Sequence, residues 1–201
     1  DRQSLKQYAA SLKGLKKEQL KNALHTLMDK KAVLKYGSGN NGTWWGFWYT
    51  DRDPKNNECY NRYSDKKFYF VDHSGVAIAD MNIEHSFPKS WWGKEKNDAW
   101  CDLYNLYPSD AKANSDKSNY PMGVVVKVTK PAGEGYDKVG TGYADGQLIK
   151  MWEPGNRFKG EFARSYLYMA TTYQHLKWVN VGLQSLENNS WPTLREWAYK
   201  L

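Results

Sequence analysis

Residues 81–123 show little regular periodicity and are dense in polar and aromatic side chains. Neither a helical nor a strand repeat of apolar positions runs through them. A segment of that length without a core pattern, inside a folded domain, is usually functional. The flanks carry the scaffold. In residues 17–31, Leu20, Ala23, Leu24, Leu27 and Met28 fall on one helical stripe. His25 sits beside that stripe and reads as a half-buried structural histidine. In residues 161–176, Phe162, Ala163, Tyr166, Leu167, Met169, Ala170 and Tyr173 mark a second amphipathic helix. A last helix is expected to begin near Pro192, since proline suits a first helical turn. Residues 68–71 and 76–79 read as short strands across a turn at 72–75, with His73 facing solvent. Residues 124–128 and 147–152 read as two more strands. The sequence GSGNNG at 37–42 is a loop, and Trp44, Trp45 and Trp48 follow it. No repeat, low-complexity tract or linker interrupts the chain. Residues 1–201 therefore read as a single α+β domain, a mostly helical body with short strands.

The chain has 201 residues, 10 of them Trp and 15 Tyr, enough to bury one large apolar core, whereas two domains would each be small. No apolar run approaches the length needed to span a bilayer. With 29 Lys and Arg against 22 Asp and Glu, the formal net charge is +7. That excess favours a polyanionic partner, nucleic acid first, with a membrane surface or acidic glycan behind it. Cys59 and Cys101 can pair in an exported protein or remain two thiols. No C-x-x-C pair exists, so a structural zinc site is not expected. Asp1 opens on polar sequence, which fits a removed leader as well as none.

The chemistry-bearing residues of the aperiodic segment are Glu84, His85, Asn105 and Asn114. Phosphodiester hydrolysis needs a water made nucleophilic, a cation on the phosphate oxygens and help for the departing oxygen. A histidine largely neutral at pH 7 can take the water's proton, which makes His85 the candidate base. Glu84 offers a hard anionic oxygen of the kind Mg²⁺ prefers. Neighbours on an extended chain point to opposite sides, so the chain must twist there for both to serve one site. Ser109 is placed to cap a helix starting at Asp110. Asn114 then falls on its second turn, with an amide oxygen for the same ion. Each residue also has a plainer reading. Asparagines are commonest in turns and caps, a lone Glu–His pair says little, and Asp102 suits a structural hydrogen-bonding role. Trp91 and Trp92 can stack on bases, but packing is the simpler reading.

Three words, NIEHSFPKSWWG (residues 82–93), DLYNLYPSDAKANSDKSNYPMG (102–123) and KGEFARSYLYMATTY (159–173), resemble bacterial endonuclease I, a family of periplasmic or secreted nucleases without sequence preference. Together they cover most of residues 80–175. The resemblance implies an HNH-like ββα-metal (His-Me) finger embedded in the larger body. His85 would be the general base, Asn105 the brace of the histidine loop, and Glu84 and Asn114 the metal ligands. Mg²⁺ is the implied cofactor, with Mn²⁺ or Ca²⁺ as alternatives. DNA, and RNA as a second substrate, would be cut to 5′-phosphate products by a secreted or periplasmic enzyme, expected to be a monomer without membrane partners. Phosphate contacts are expected from Lys117, where relatives often carry Arg, and from Lys159 and Arg164. Lysine there acts as a point charge without the bidentate fork. Relatives run on past the region matching residues 194–201, so a further C-terminal segment is expected beyond Leu201. The rival reading is a non-catalytic module that holds nucleic acid or glycan with tryptophans and a basic face. A glycosidase pairing Glu84 with Asp98 would leave Asn105 and Asn114 unexplained.

Overall fold

The computed structural model describes residues 2–144, 146–176 and 195–200. Helix α1 (Arg2–Tyr8) and a 3-10 turn at Ala10–Leu12 lead into α2 (Lys17–Met28), which carries the apolar stripe read from the sequence. The glycine loop follows as expected. Helix α3 (Thr43–Thr50) then takes up the tryptophan run and buries Trp44 and Phe47. Gly46 allows this helix to sit close, because a Cβ there would lie 2.7 Å from Leu34 and 2.9 Å from Leu103.

Strands β1 (Glu58–Cys59) and β2 (Phe68–Tyr69) form a small antiparallel pair, Cys59 opposite Phe68. This corrects the expected hairpin, since residues 76–79 form no strand. Val71 and Val76 are 94% and 72% exposed. The apolar run thus has no buried face to hold a ladder, whereas Cys59 is fully buried and draws β2 to itself. Cys59 and Cys101 are unpaired thiols.

The aperiodic segment does contain regular structure, in short pieces. Strand β3 (Met81–His85) is followed by a 3-10 turn at Lys89–Trp92, a single turn of helix α4 (Asp98–Cys101), strand β4 (Leu106–Asp110) and helix α5 (Ala111–Lys117). Strands β3 and β4 are antiparallel, with Met81 opposite Asp110 and His85 opposite Leu106. The cap of α5 is Asp110, one residue later than expected, and its carboxylate accepts from the Lys112 N–H.

A three-stranded sheet follows, β5 (Lys127–Pro131), β6 (Lys138–Ala144) and β7 (Gln147–Glu153), in the order β5-β6-β7. Strand β5 starts three residues later than the valine run suggested. Strand β6, KVGTGYA, escaped the sequence reading because its glycines weaken a strand pattern. They are there for closeness: a Cβ on Gly140 would meet the Lys127 carbonyl oxygen at 2.0 Å. Helix α6 (Lys159–Thr172) packs against α2, and Thr171 supplies the carbonyl for His25 Nδ1 at 3.0 Å. The expected helix start at Pro192 lies outside the described residues, although Arg195 to Trp197 are helical and Trp197 is buried. The architecture is α+β, and among the described residues helix is the larger share but not the majority expected. Among the described residues no helix is long and apolar enough to cross a membrane.

The main core is aromatic and lies between the β3–β4 hairpin, β7 and α6. Phe162 is its hub, with ring centroids 5.3, 4.8 and 5.2 Å from Tyr63, Tyr107 and Trp152. Phe162→Ala is expected to cost about 3–5 kcal/mol, read from urea unfolding; a loss under about 1 kcal/mol would show that this core collapses onto the gap.

Candidate active site

His85 ends β3 and is almost fully buried, yet it lines a cleft of about 390 Å³ together with Glu84 and Asn114. Two neighbours on a strand reach one cleft because the ladder stops at His85. The chain turns immediately afterwards, with the Ser86 N–H donating to the Asn105 carbonyl. Asn105 then fixes the turn twice. Its Oδ1 accepts from the Phe87 N–H at 2.7 Å and its Nδ2 donates to the Phe87 carbonyl at 3.0 Å, all with no exposed surface. The side-chain amide thereby replaces one rung of the β ladder. This is the position next to the histidine at which a brace was expected.

The tautomer of His85 follows from one bond. Nε2 lies 2.9 Å from the Trp100 carbonyl oxygen, which only accepts, so Nε2 carries the hydrogen and Nδ1 the lone pair. Tyr36 stacks on the imidazole at 5.7 Å, and the Trp92 and Trp100 rings meet it edge-on. Burial among these rings pushes the imidazole pKa down from 6.5 to about 4. Trp91 and Trp92 themselves pack into the core rather than standing free.

Burial raises the Glu84 carboxyl above its ordinary value, and Lys117 partly offsets this. The Lys117 ammonium donates to Glu84 Oε1 at 3.3 Å and to the Ser86 carbonyl at 3.1 Å. Glu84 Oε2 and the half-buried Asn114 side chain make no hydrogen bond among the described residues. The Asp102 carboxylate accepts from the Tyr168 and Tyr173 hydroxyls, the structural role expected of it.

The cations expected at phosphate are not at this cleft. Lys117 has no exposed surface. Lys159 is buried and ion-paired to Glu153 at 2.6 Å. Arg164 is exposed, donates to the Ala198 and Lys200 carbonyls, and borders a larger cavity of about 610 Å³ elsewhere. The lysines that do line the cleft are Lys89 and Lys94. Lys89 falls in the first word and Lys94 directly follows it, four and nine positions after His85, and that proximity was the signal available in the sequence.

The Endonuclease I family model matches residues 16–199, and the chain belongs to this family. It is 29% identical over 170 residues to an extracellular ribonuclease of Bacillus subtilis (strain 168), covering 83% of this chain and 54% of that protein. A second extracellular ribonuclease, from Bacillus amyloliquefaciens, is 29% identical over 157 residues, 77% of this chain and 49% of that protein. The chain thus spans about half the length of the curated relatives it matches.

Two measurements test the electrostatics. Lys117→Met in EDTA should lower stability by about 3 kcal/mol at neutral pH, because it strands a buried carboxylate; a change under about 1 kcal/mol would mean that water replaces the ammonium. His85 binds its proton less readily folded than unfolded. Its contribution is therefore full above 6.5 and is lost as pH falls from 6.5 to about 4, on the order of 3 kcal/mol in all. Urea unfolding across that window should show a steeper pH dependence in the wild type than in His85→Gln, and parallel curves would rule out a neutral buried imidazole.

Proposed function

We propose that the chain is a divalent-metal-dependent nuclease that hydrolyses internal phosphodiester bonds of DNA or RNA without sequence preference, leaving 5′ phosphates. One observation carries this reading: Glu84, His85 and Asn114 line a single cleft. His85 is suited to act as general base. Its Nε2–H is committed to the Trp100 carbonyl, so a proton taken from water goes to Nδ1. Burial keeps that nitrogen free to accept at neutral pH. The water oxygen bonds to phosphorus as the bond from phosphorus to the 3′ oxygen breaks. His85 takes the water's proton, and the departing oxygen is protonated from solvent.

The donor set fits a hard divalent cation such as Mg²⁺, with Mn²⁺ or Ca²⁺ as alternatives. Glu84 offers a carboxylate and Asn114 an amide oxygen, and such an ion takes few protein ligands and keeps several waters. Bound there, it would supply charge neutralisation on the phosphate and the leaving oxygen. The order β3, β4, α5, with the base ending the first strand, the brace beside the second and the amide on the helix, supports a ββα-metal finger. Asn105 acts in it by holding the turn behind His85.

The net charge of +7 suits a phosphate backbone, and contacts to phosphate carry no base information. The names of the Bacillus relatives make RNA a substrate to test beside DNA, and an exported location the reading for this chain. Plasmid nicking and cleavage of an RNA oligonucleotide should proceed with Mg²⁺ and stop in EDTA. His85→Ala should reduce both by roughly 10²–10⁴-fold. Turnover undiminished in EDTA or in His85→Ala removes this mechanism, and wild-type binding without turnover makes the chain a binding module.

A further inference from the structure

A phosphodiester entering the cleft needs a cation on its own side, and the three cations first expected there are already engaged, none of them lining the cleft. Lys117 is buried against Glu84, Lys159 is paired with Glu153, and Arg164 is tied to backbone carbonyls near the chain end. We infer that Lys89 is the side chain that meets the scissile phosphodiester. The inference rests on the nuclease reading above and assigns a residue within it.

Four observations converge on Lys89. It lines the same cleft as Glu84, His85 and Asn114. Among the described residues no carboxylate pairs with it; its ammonium rests 4.6 Å from the centre of the Trp100 ring. A carboxylate partner would cancel the charge, whereas an aromatic face orients an ammonium and leaves its charge available to an anion. Trp100 is also the residue whose carbonyl holds His85 Nε2 and whose ring lies 5.3 Å from the imidazole. One tryptophan therefore orients both the base and the cation. Finally, the Lys89 charge acts on both Glu84 and His85, as a cation lining the same cleft should.

The backbone under Lys89 is fixed. Pro88 precedes it in extended conformation, Trp91 and Trp92 are buried two and three positions on, and the Lys94 N–H closes the turn onto the Lys89 carbonyl at 3.0 Å. The side chain thus projects from a turn anchored in the core. Lys94 also lines the cleft, but it is exposed and has no ring contact among the described residues, which suits a flanking phosphate.

The test uses Lys89→Met, which keeps an aliphatic stem on the Trp100 ring and removes the charge, with Lys89→Arg and Lys94→Met beside it. Binding of a duplex oligonucleotide in EDTA is followed by anisotropy across a salt series, and single-turnover cleavage is then started with Mg²⁺. Lys89→Met should cleave roughly 10²-fold more slowly. Its salt slope should fall by about 0.9, the value of one phosphate contact, with an unchanged unfolding midpoint. Lys89→Arg should recover most of both, and Lys94→Met should lower the slope by a similar amount with a smaller loss of cleavage than Lys89→Met. A lower slope with wild-type cleavage would put Lys89 on a flanking phosphate and overturn the assignment. So would slow cleavage that arginine does not recover, accompanied by a lower unfolding midpoint, because Lys89 would then be only a prop for Trp100. Wild-type protein that binds but never cleaves sinks the nuclease reading and this assignment together. Normal cleavage by both wild type and Lys89→Met sinks the assignment alone.

Discussion

The Lys117 ammonium and the Glu84 carboxylate are both out of water, 3.3 Å apart. Neither charge is tolerable at that depth without the other, so the last turn of α5 must dock on the end of β3. The ammonium has three donors and three receivers: Glu84 Oε1, the Ser86 carbonyl and the face of Trp152 at 4.8 Å. A compact ammonium matches that trio, which a planar guanidinium would match less well. Asn114 stands three positions before Lys117 on the same helix, so the two side chains are near neighbours on its surface. The contact that holds the carboxylate from behind therefore also brings an amide up beside it.

His85 is held by different means. Beyond it the chain must leave the ladder and still present the imidazole at a constant angle. Asn105 supplies the missing ladder bonds, and the aromatic side chains that follow supply the anchor. Phe87, Trp91 and Trp92 are buried at 0%, 1% and 3% exposure, each worth about 1.5–3 kcal/mol or more of burial. The Tyr166 hydroxyl reaches the Ser86 carbonyl from α6 at 2.5 Å. The turn after the base is thus stapled into the core at several points, and a base so held loses little entropy when it acts.

Sequence showed these parts unequally, and depth explains the difference. The two amphipathic helices were legible because a stripe repeated over several turns records which side is buried. Asn105 and Asn114 were legible only together with Glu84 and His85, since any single asparagine has a commoner fate in a turn. Strand β6 was hidden because Gly140 and Gly142 serve close backbone approach rather than side-chain packing. Residues 76–79 misled because four small apolar residues look alike whether buried or, as here, mostly exposed. Lys117 and Lys159 were read as phosphate contacts because nothing local distinguishes a lysine free to meet an anion from one buried on a carboxylate. That distinction depends on Glu84 and Glu153, and the Lys117–Glu84 pair spans 33 positions along the chain.

The same distinction orders the charge around the site. Across α5 and the β5–β7 sheet, several lysines have acid partners: Lys112 and Lys130 share Asp116, and Lys138 joins Lys159 on Glu153. Such pairs add little to stability where they are exposed, and each acid offsets only part of the charge of the two lysines it holds. The segment after His85 is different. Lys89 and Lys96 lie against the Trp100 ring, and among the described residues neither they nor Lys94 has an acid partner. Uncancelled positive charge lining a cleft draws field lines into it. A polyanion would then be guided toward His85 and Glu84, an effect that salt would weaken.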